Sequence, residues 1–298
     1  MTTVAQRADH GPTVGTLLRG WRGRRRITQL ELALSIDTSA RHVSFIETGR
    51  AKPSQAMVLR LAEGLDIPVR ERNALLVAAG YAPVYPETPL AAPEMRALRS
   101  GLDSLLAAYE PNPALVINGT YDVLAANRGV RALLHGLPSF LLTPPLNAMR
   151  LILHPQGLAS RIRNLDEWRA HLLERIERQI ALRGSDELRE LYGELVSYPA
   201  LHGQDAGADR VSGGHLRESH VFALPLQVEV DGQVLSFIST ATTFNTPMDV
   251  TVSELAVEAF LPTDPETAKA LQRLVDAAEF PVSGSTADAV DSARPRRA

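Results

Sequence analysis

The side chains with the most chemistry to offer lie in the first third of the chain. Arg22, Arg24, Arg25 and Arg26 form a cationic cluster, and Arg41, Arg50 and Lys52 follow at wider spacing. Guanidinium and ammonium groups are what a phosphate backbone attracts, and a guanidinium can also fork onto two acceptors in one plane. Residues 14–80 hold 11 Lys+Arg against 6 Asp+Glu, whereas residues 81–298 hold 19 against 27, so the formal net charge of −3 hides a basic end. Positive charge placed this way marks where a polyanion would be met. For Arg24, Arg25 and Arg26 a merely solvated face explains the sequence equally well.

Those groups need elements to hold them. Thr13 caps a first helix with Val14, Leu17, Leu18 and Trp21 on one face. Thr28 opens a second, with Leu30, Leu32, Ala33 and Ile36 as its apolar set, and Thr38 or Ser39 a third, carrying Val43 and Ile46. Pro53–Ser54 opens a fourth with Val58, Leu61, Ala62 and Leu65 inward, and Pro68 a fifth that stops at Gly80. The second and third can cross steeply only with a small residue at their closest approach, and Ala33 stands there. The turn that follows needs a residue tolerant of positive φ, which falls to Asp37 instead of the usual glycine. The expectation is an all-α five-helix domain over residues 13–80, after a disordered stretch at 1–12.

TQLELALSIDTSARHVSFIETGRAKPS resembles the five-helix helix-turn-helix domain of the xenobiotic-response-element type, also found in phage repressors. That resemblance implies that the helix beginning near Ser39 enters the major groove of duplex DNA. It places Ala40, Arg41 and Ser44 toward base edges, Phe45 at the margin, and Gln29 on phosphate. Arg41 is the strongest of these, because its fork matches guanine O6 and N7. His42 adds a backbone or base contact or faces solvent, and Arg50 and Lys52 are phosphate contacts.

The remainder reads differently. YAPVYPETPL, with three prolines in ten residues, makes residues 81–92 a linker. A helix from about Pro93 to Tyr109 is followed by two β-rich runs about Asn118-Gly119-Thr120, then a helix capped by Asn127. Asn147 to Leu153 and Asn164 to Arg183 are helical; Asn164 and Glu167 form a capping-box-like pair, and Leu165, Trp168, Leu172, Ile176 and Ile180 read as a core stripe. Residues 202–215 are Gly-rich and read as a surface loop. Two further β-rich runs flank Asp231-Gly232, and Leu255 to Leu261 supplies another. The order gives an α+β fold with one antiparallel sheet over residues 93–280, PAS-like in its early hairpin and later meander, before a disordered tail at 281–298. SARHVSFIETGRAKPS, ERNALLVAAGYAPVYPETPL, PALVINGTYDVLAAN, LHPQGL and TATTFNTPMDVTVSEL, in that order, resemble the MmyB-like transcription regulators. The resemblance implies a bacterial protein with a PAS-like ligand-binding domain, a fatty-acid-like ligand and operator binding as a homodimer.

Length and composition set the frame for these readings. A chain of 298 residues is about two domains. The absence of cysteine excludes disulfides, thiolate metal sites and thiol nucleophiles. The opening residues lack a signal-peptide core and no run of about 18 apolar residues occurs, so the expected location is cytoplasmic, on the nucleoid, with no membrane partner. No Gly-x-Ser-x-Gly elbow, His-Glu-x-x-His or P-loop occurs, which argues against an enzyme. His202, His215 and His220 with Asp205 and Asp209 match no standard zinc spacing, and no metal or cofactor is expected. The apolar interior of the second domain is bounded by side chains such as Phe222, Leu224, Phe237 and Phe244, with Asn127, Arg128 and His154 for a ligand's polar end. A ligand-free dimerisation or interaction module is the alternative.

Overall fold

The computed structural model describes residues 12–199 and 223–278. They form two compact units, one of residues 12–87 with 181–183 and 246–253, the other of the remaining described residues. The Gly-rich loop at 202–215, the His202/His215/His220 group, Phe222 and both proposed disordered ends lie outside the described residues, apart from residue 12.

The first unit contains α1 (Val14–Arg25), α2 (Gln29–Ser35), α3 (Ala40–Glu47), α4 (Gln55–Gly64) and α5 (Val69–Ala78). Side-chain oxygens accept the orphan amides at four of the five starts: Thr13 from Thr16, Thr28 from Glu31, Ser39 from His42 and Ser54 from Met57. Thr28 and Glu31 complete a reciprocal capping box. Asp37 adopts φ 51°, the left-handed conformation that the α2–α3 turn requires, and Ala33 is buried beneath it. Leu18, Trp21, Leu32, Ile46, Val58 and Leu61 form the core. Leu30 is a correction, because it is 59% exposed. At the second position of a seven-residue helix it points away from the face that Leu32, Ala33 and Ile36 bury.

Gly15 brings α1 against the end of α3. A Cβ there would lie 2.6 Å from the carbonyl oxygen of Ile46 and 2.7 Å from that of Glu47, and neither is the free end of a side chain. Gly15→Ala is expected to cost about 1–3 kcal/mol, the usual penalty for overpacking. Urea unfolding checks this; an unchanged midpoint would show that α1 can shift without cost.

The second unit starts with α6 (Arg96–Tyr109) and the hairpin β1 (Ala114–Ile117) and β2 (Val123–Ala126). It continues through α7 (Arg128–Leu133), α8 (Ala148–Leu153), α9 (Leu165–Arg183) and α10 (Asp186–Ser197). The strands β3 (Leu226–Val230) and β4 (Gln233–Thr243) flank an Asp231-Gly232 turn in which both residues have positive φ. Next come α11 (Val250–Glu254), β5 (Ala256–Pro262) and α12 (Pro265–Ala277). Most of α11 clusters with the first unit, where Val250 is buried and its amide donates to the Pro86 carbonyl at 2.8 Å.

The strands make one antiparallel five-stranded sheet in the order β2-β1-β5-β4-β3, the α+β arrangement expected from the sequence. Register fixes its inner face. Leu115 lies opposite both Ala126 and Glu258, Leu226 opposite Phe237 and Val228 opposite Leu235, and partners directly opposite share a face. The stripe Leu165, Trp168, Leu172 and Ile176 is buried as core. The capping box at Asn164 does not form: its amide donates to the Pro225 carbonyl and its oxygen accepts from the Gln227 amide, so it ties α9 to β3 instead.

Candidate functional site

The residues expected to meet DNA lie on α3 and the turn after it. Ser39, at the cap, and Arg41 are exposed, and Ala40, His42, Ser44 and Phe45 are half-buried, while Val43 and Ile46 anchor the opposite side. The Arg41 guanidinium lies 5.2 Å from the Phe45 ring centroid and that of Arg50 5.9 Å, so one aromatic ring gathers two cations. Lys52 is exposed, 5.5 Å from the Tyr81 ring. These are the donors that base edges and phosphates accept.

Behind α3 sits a group whose role the sequence did not announce. The Glu47 side chain is 1% exposed, yet it is a carboxylate. Arg22 donates to it from Nε at 2.7 Å and from Nη2 at 3.0 Å, and Gln29 donates from Nε2 at 2.8 Å. Burial pushes its carboxyl pKa up, but the hydrogen bonds from Arg22 and Gln29 and the charges of Arg22 and Arg19 outweigh it and hold the pKa below the ordinary value. Glu47 therefore fastens α1 and α2 to the end of α3. Gln29, expected on phosphate, gives one of its amide hydrogens to this cluster. The cationic run divides similarly: Arg22 is internal, Arg24 packs 3.8 Å over the Trp21 ring, and Arg25 donates to the carbonyls of Leu65 and Asp66. Arg26 is exposed.

The second unit holds a cavity of about 470 Å³ that opens to the surface, within the range of small-molecule sites. Its sheet wall includes Leu115, Ala126, Leu226, Val228 and Phe260, and its helix wall includes Val130, Leu133, Ala148 and Leu151 from α7 and α8. Small side chains at Ala126 and Ala148 leave space that larger residues would fill.

Its polar lining is not the one expected. Asn127 accepts from the amides of Ala114 and Val130 and donates to the carbonyls of Leu106 and Asn112, so it joins β1, α6 and α7. Arg128 sends its guanidinium to the Val275 carbonyl. His154 is held between Phe140 and Tyr198, with Nδ1 accepting from the Gln156 amide. None of the three lines the cavity. Phe237 is completely buried in the core but does not line it, and Phe244, just past β4, is 38% exposed. Leu224 packs half-buried against the core. Arg131, His135 and Glu258 supply the polar lining instead. Glu258 pairs with Arg175 of α9, which lies 5.3 Å from the Tyr121 ring. The signal in the sequence was one acidic residue in the otherwise apolar run Leu255 to Pro262.

Among the described residues no cluster of three or more His, Asp or Glu is placed to hold a metal, and no helix is long and apolar enough to cross a membrane. A helix-turn-helix unit with exposed cations on and just after its third helix, followed by an α+β unit built around an apolar cavity, fits a DNA-binding transcription regulator with a ligand-binding domain. Comparison with family models agrees on both halves. Residues 18–72 match the helix-turn-helix model and residues 98–274 match the MmyB-like transcription regulator ligand binding domain. The chain belongs to the MmyB-like transcription regulators. No curated protein matches it.

Proposed function

We propose that this protein is a sequence-specific, homodimeric repressor or activator whose operator affinity is set by a small hydrophobic, fatty-acid-like molecule in the cavity of the second unit. The observation that carries this reading is the apolar cavity itself, walled by sheet on one side and α7 and α8 on the other. An acyl chain gains about 0.8 kcal/mol per buried CH₂, which gives affinity without a large polar site. To regulate, the ligand must bind one arrangement of the protein more tightly than another. Ser39, Ala40, Arg41, His42, Ser44 and Phe45 read the groove, with Gln29, Arg50 and Lys52 on the backbone. No reaction is assigned to the cavity. The domain limits are those of the sequence reading, 13–80 and 93–280 about a linker, and the site of action is the cytoplasmic nucleoid.

One helix-turn-helix unit buries too little surface for high specificity, so two copies must read two half-sites. Selection from random duplex DNA is expected to yield a palindrome with half-sites about one helical turn, ~10 bp, apart, and light scattering a dimer. A single unrepeated half-site bound by a monomer would overturn the dimer. The alternative reading, a ligand-free interaction module, is favoured by no specific observation.

A further inference from the structure

Within the reading of the cavity as a ligand site, the lining gives the ligand a direction. It grades from water to core: His135 and Gly136 are exposed, Arg131 is half-buried, and Leu115, Leu226 and Val228 are buried. An amphiphile fits such a gradient with its polar group at the mouth and its chain inside, because a charged group left partly in water avoids most of the cost of burial.

The mouth is basic. Arg131 stands in the last turn of α7 and His135 just past its end, and both line the cavity. A helix C-terminus is the negative end of its dipole and would by itself repel an anion. Here Arg161 donates to the carbonyls of Leu133 and His135, which offsets that charge. The acidic residues nearby do not cancel the effect. Glu258, the remaining polar lining residue, pairs with Arg175, and Glu229, which shares a second hollow with His135, pairs with Arg163. Asp231, on the β3–β4 turn of that hollow, is exposed, and water and salt screen it.

We propose that Arg131 and His135 form the headgroup site of the cavity and select an apolar chain that ends in a carboxylate over the alcohol or amine of the same length, with the chain running inward along Leu115, Leu226 and Val228. A guanidinium carries five donors in one plane, so Arg131 can serve a partner within the protein and still offer donors to a carboxylate. His135 offers a ring N–H in either protonation state. The headgroup contact expected at Arg128 thus falls about one turn further along the same helix, at Arg131.

The test is calorimetric titration of the full chain at neutral pH, freed of bound lipid by solvent extraction and refolding, with decanoic acid, decanol and decylamine. Wild type is expected to bind the acid at least about tenfold more tightly than the alcohol or the amine. Arg131→Met keeps the length and removes the donors, and it should bring the acid within a few-fold of the alcohol while leaving the alcohol's own affinity nearly unchanged. His135→Glu alters only an exposed position, so it gives an answer even where Arg131→Met does not fold; it should weaken the acid at least about tenfold and strengthen the amine. The proposal is overturned if wild type binds the alcohol or the amine as tightly as the acid, or if either folded variant keeps the wild-type ratios. Equal weakening of all three ligands in a variant marks a structural role alone and overturns it too. Binding of none of the three to wild type, with no shift in melting, overturns the ligand-site reading as well, which separates that failure from one of the headgroup site alone.

Discussion

Replacing Glu47 by alanine is expected to cost the helix-turn-helix unit about 3 kcal/mol or more, the usual result of removing one partner from a buried ion pair. The side chain is 1% exposed and that of Arg22 18%, so the substitution leaves Arg22 and Gln29 facing a gap in a largely buried site. Against a whole-domain stability of about 5–15 kcal/mol the loss is large. It should appear as faster exchange of the α1 and α3 amides, with amides of the second unit unaffected. Equal protection in wild type and variant would show that the cluster contributes nothing to the docking of α3.

The same carboxylate gives the unit an acid sensitivity of definite sign. Its pKa in the folded protein lies below the unfolded value of about 4.3. The unfolded state therefore takes up the proton first as pH falls. The contribution of Glu47 is fully present above that unfolded value and is lost as pH drops through the folded one. Glu47→Gln, which cannot titrate, should remove this part of the pH dependence.

The second large effect concerns DNA. Arg41→Ala should relax the preference at one base pair in each half-site by about 1–3 kcal/mol, because alanine cannot make the proposed fork to guanine O6 and N7. Arg50→Ala should instead weaken binding to all sequences alike and reduce the slope of log affinity against log salt by about one. The two arginines flank the same Phe45 ring, which makes the pair a controlled comparison: similar surroundings, different targets. Binding-site selection and salt titration of both variants give the answer. If Arg41→Ala left the selected sequence unchanged, α3 would not read the groove with its first turn.

Much of the first unit was legible because its signals are local. Caps at Thr13, Thr28, Ser39 and Ser54, the small Ala33 and the turn at Asp37 each constrain a few neighbouring residues, and the structure uses all of them. Leu30 was misread because a seven-residue helix offers too few turns for periodicity to fix its buried face. In the second unit the hairpins at Asn118 and Asp231 were visible, but α10 and α12 were passed over despite start signals at Ser185 and at Asp264-Pro265. Asn164 shows the limit of a local rule: its side chain found partners 61 and 63 residues away. The cavity's polar lining was the least legible part. Asn127, Arg128 and His154 have suitable chemistry, yet backbone groups occupy them, and Glu258 became a lining residue only through the pairing of β1 with β5.

The most direct test of the account is the affinity of the full chain for its selected operator, measured with lipid-free protein and again with a saturating apolar probe such as decanol. A ligand-responsive regulator predicts that the probe shifts operator affinity by about fivefold or more, the range of typical coupling energies, with no comparable shift on unrelated DNA. Tight, sequence-specific binding that stays the same with and without the probe, although the probe occupies the cavity, would contradict it.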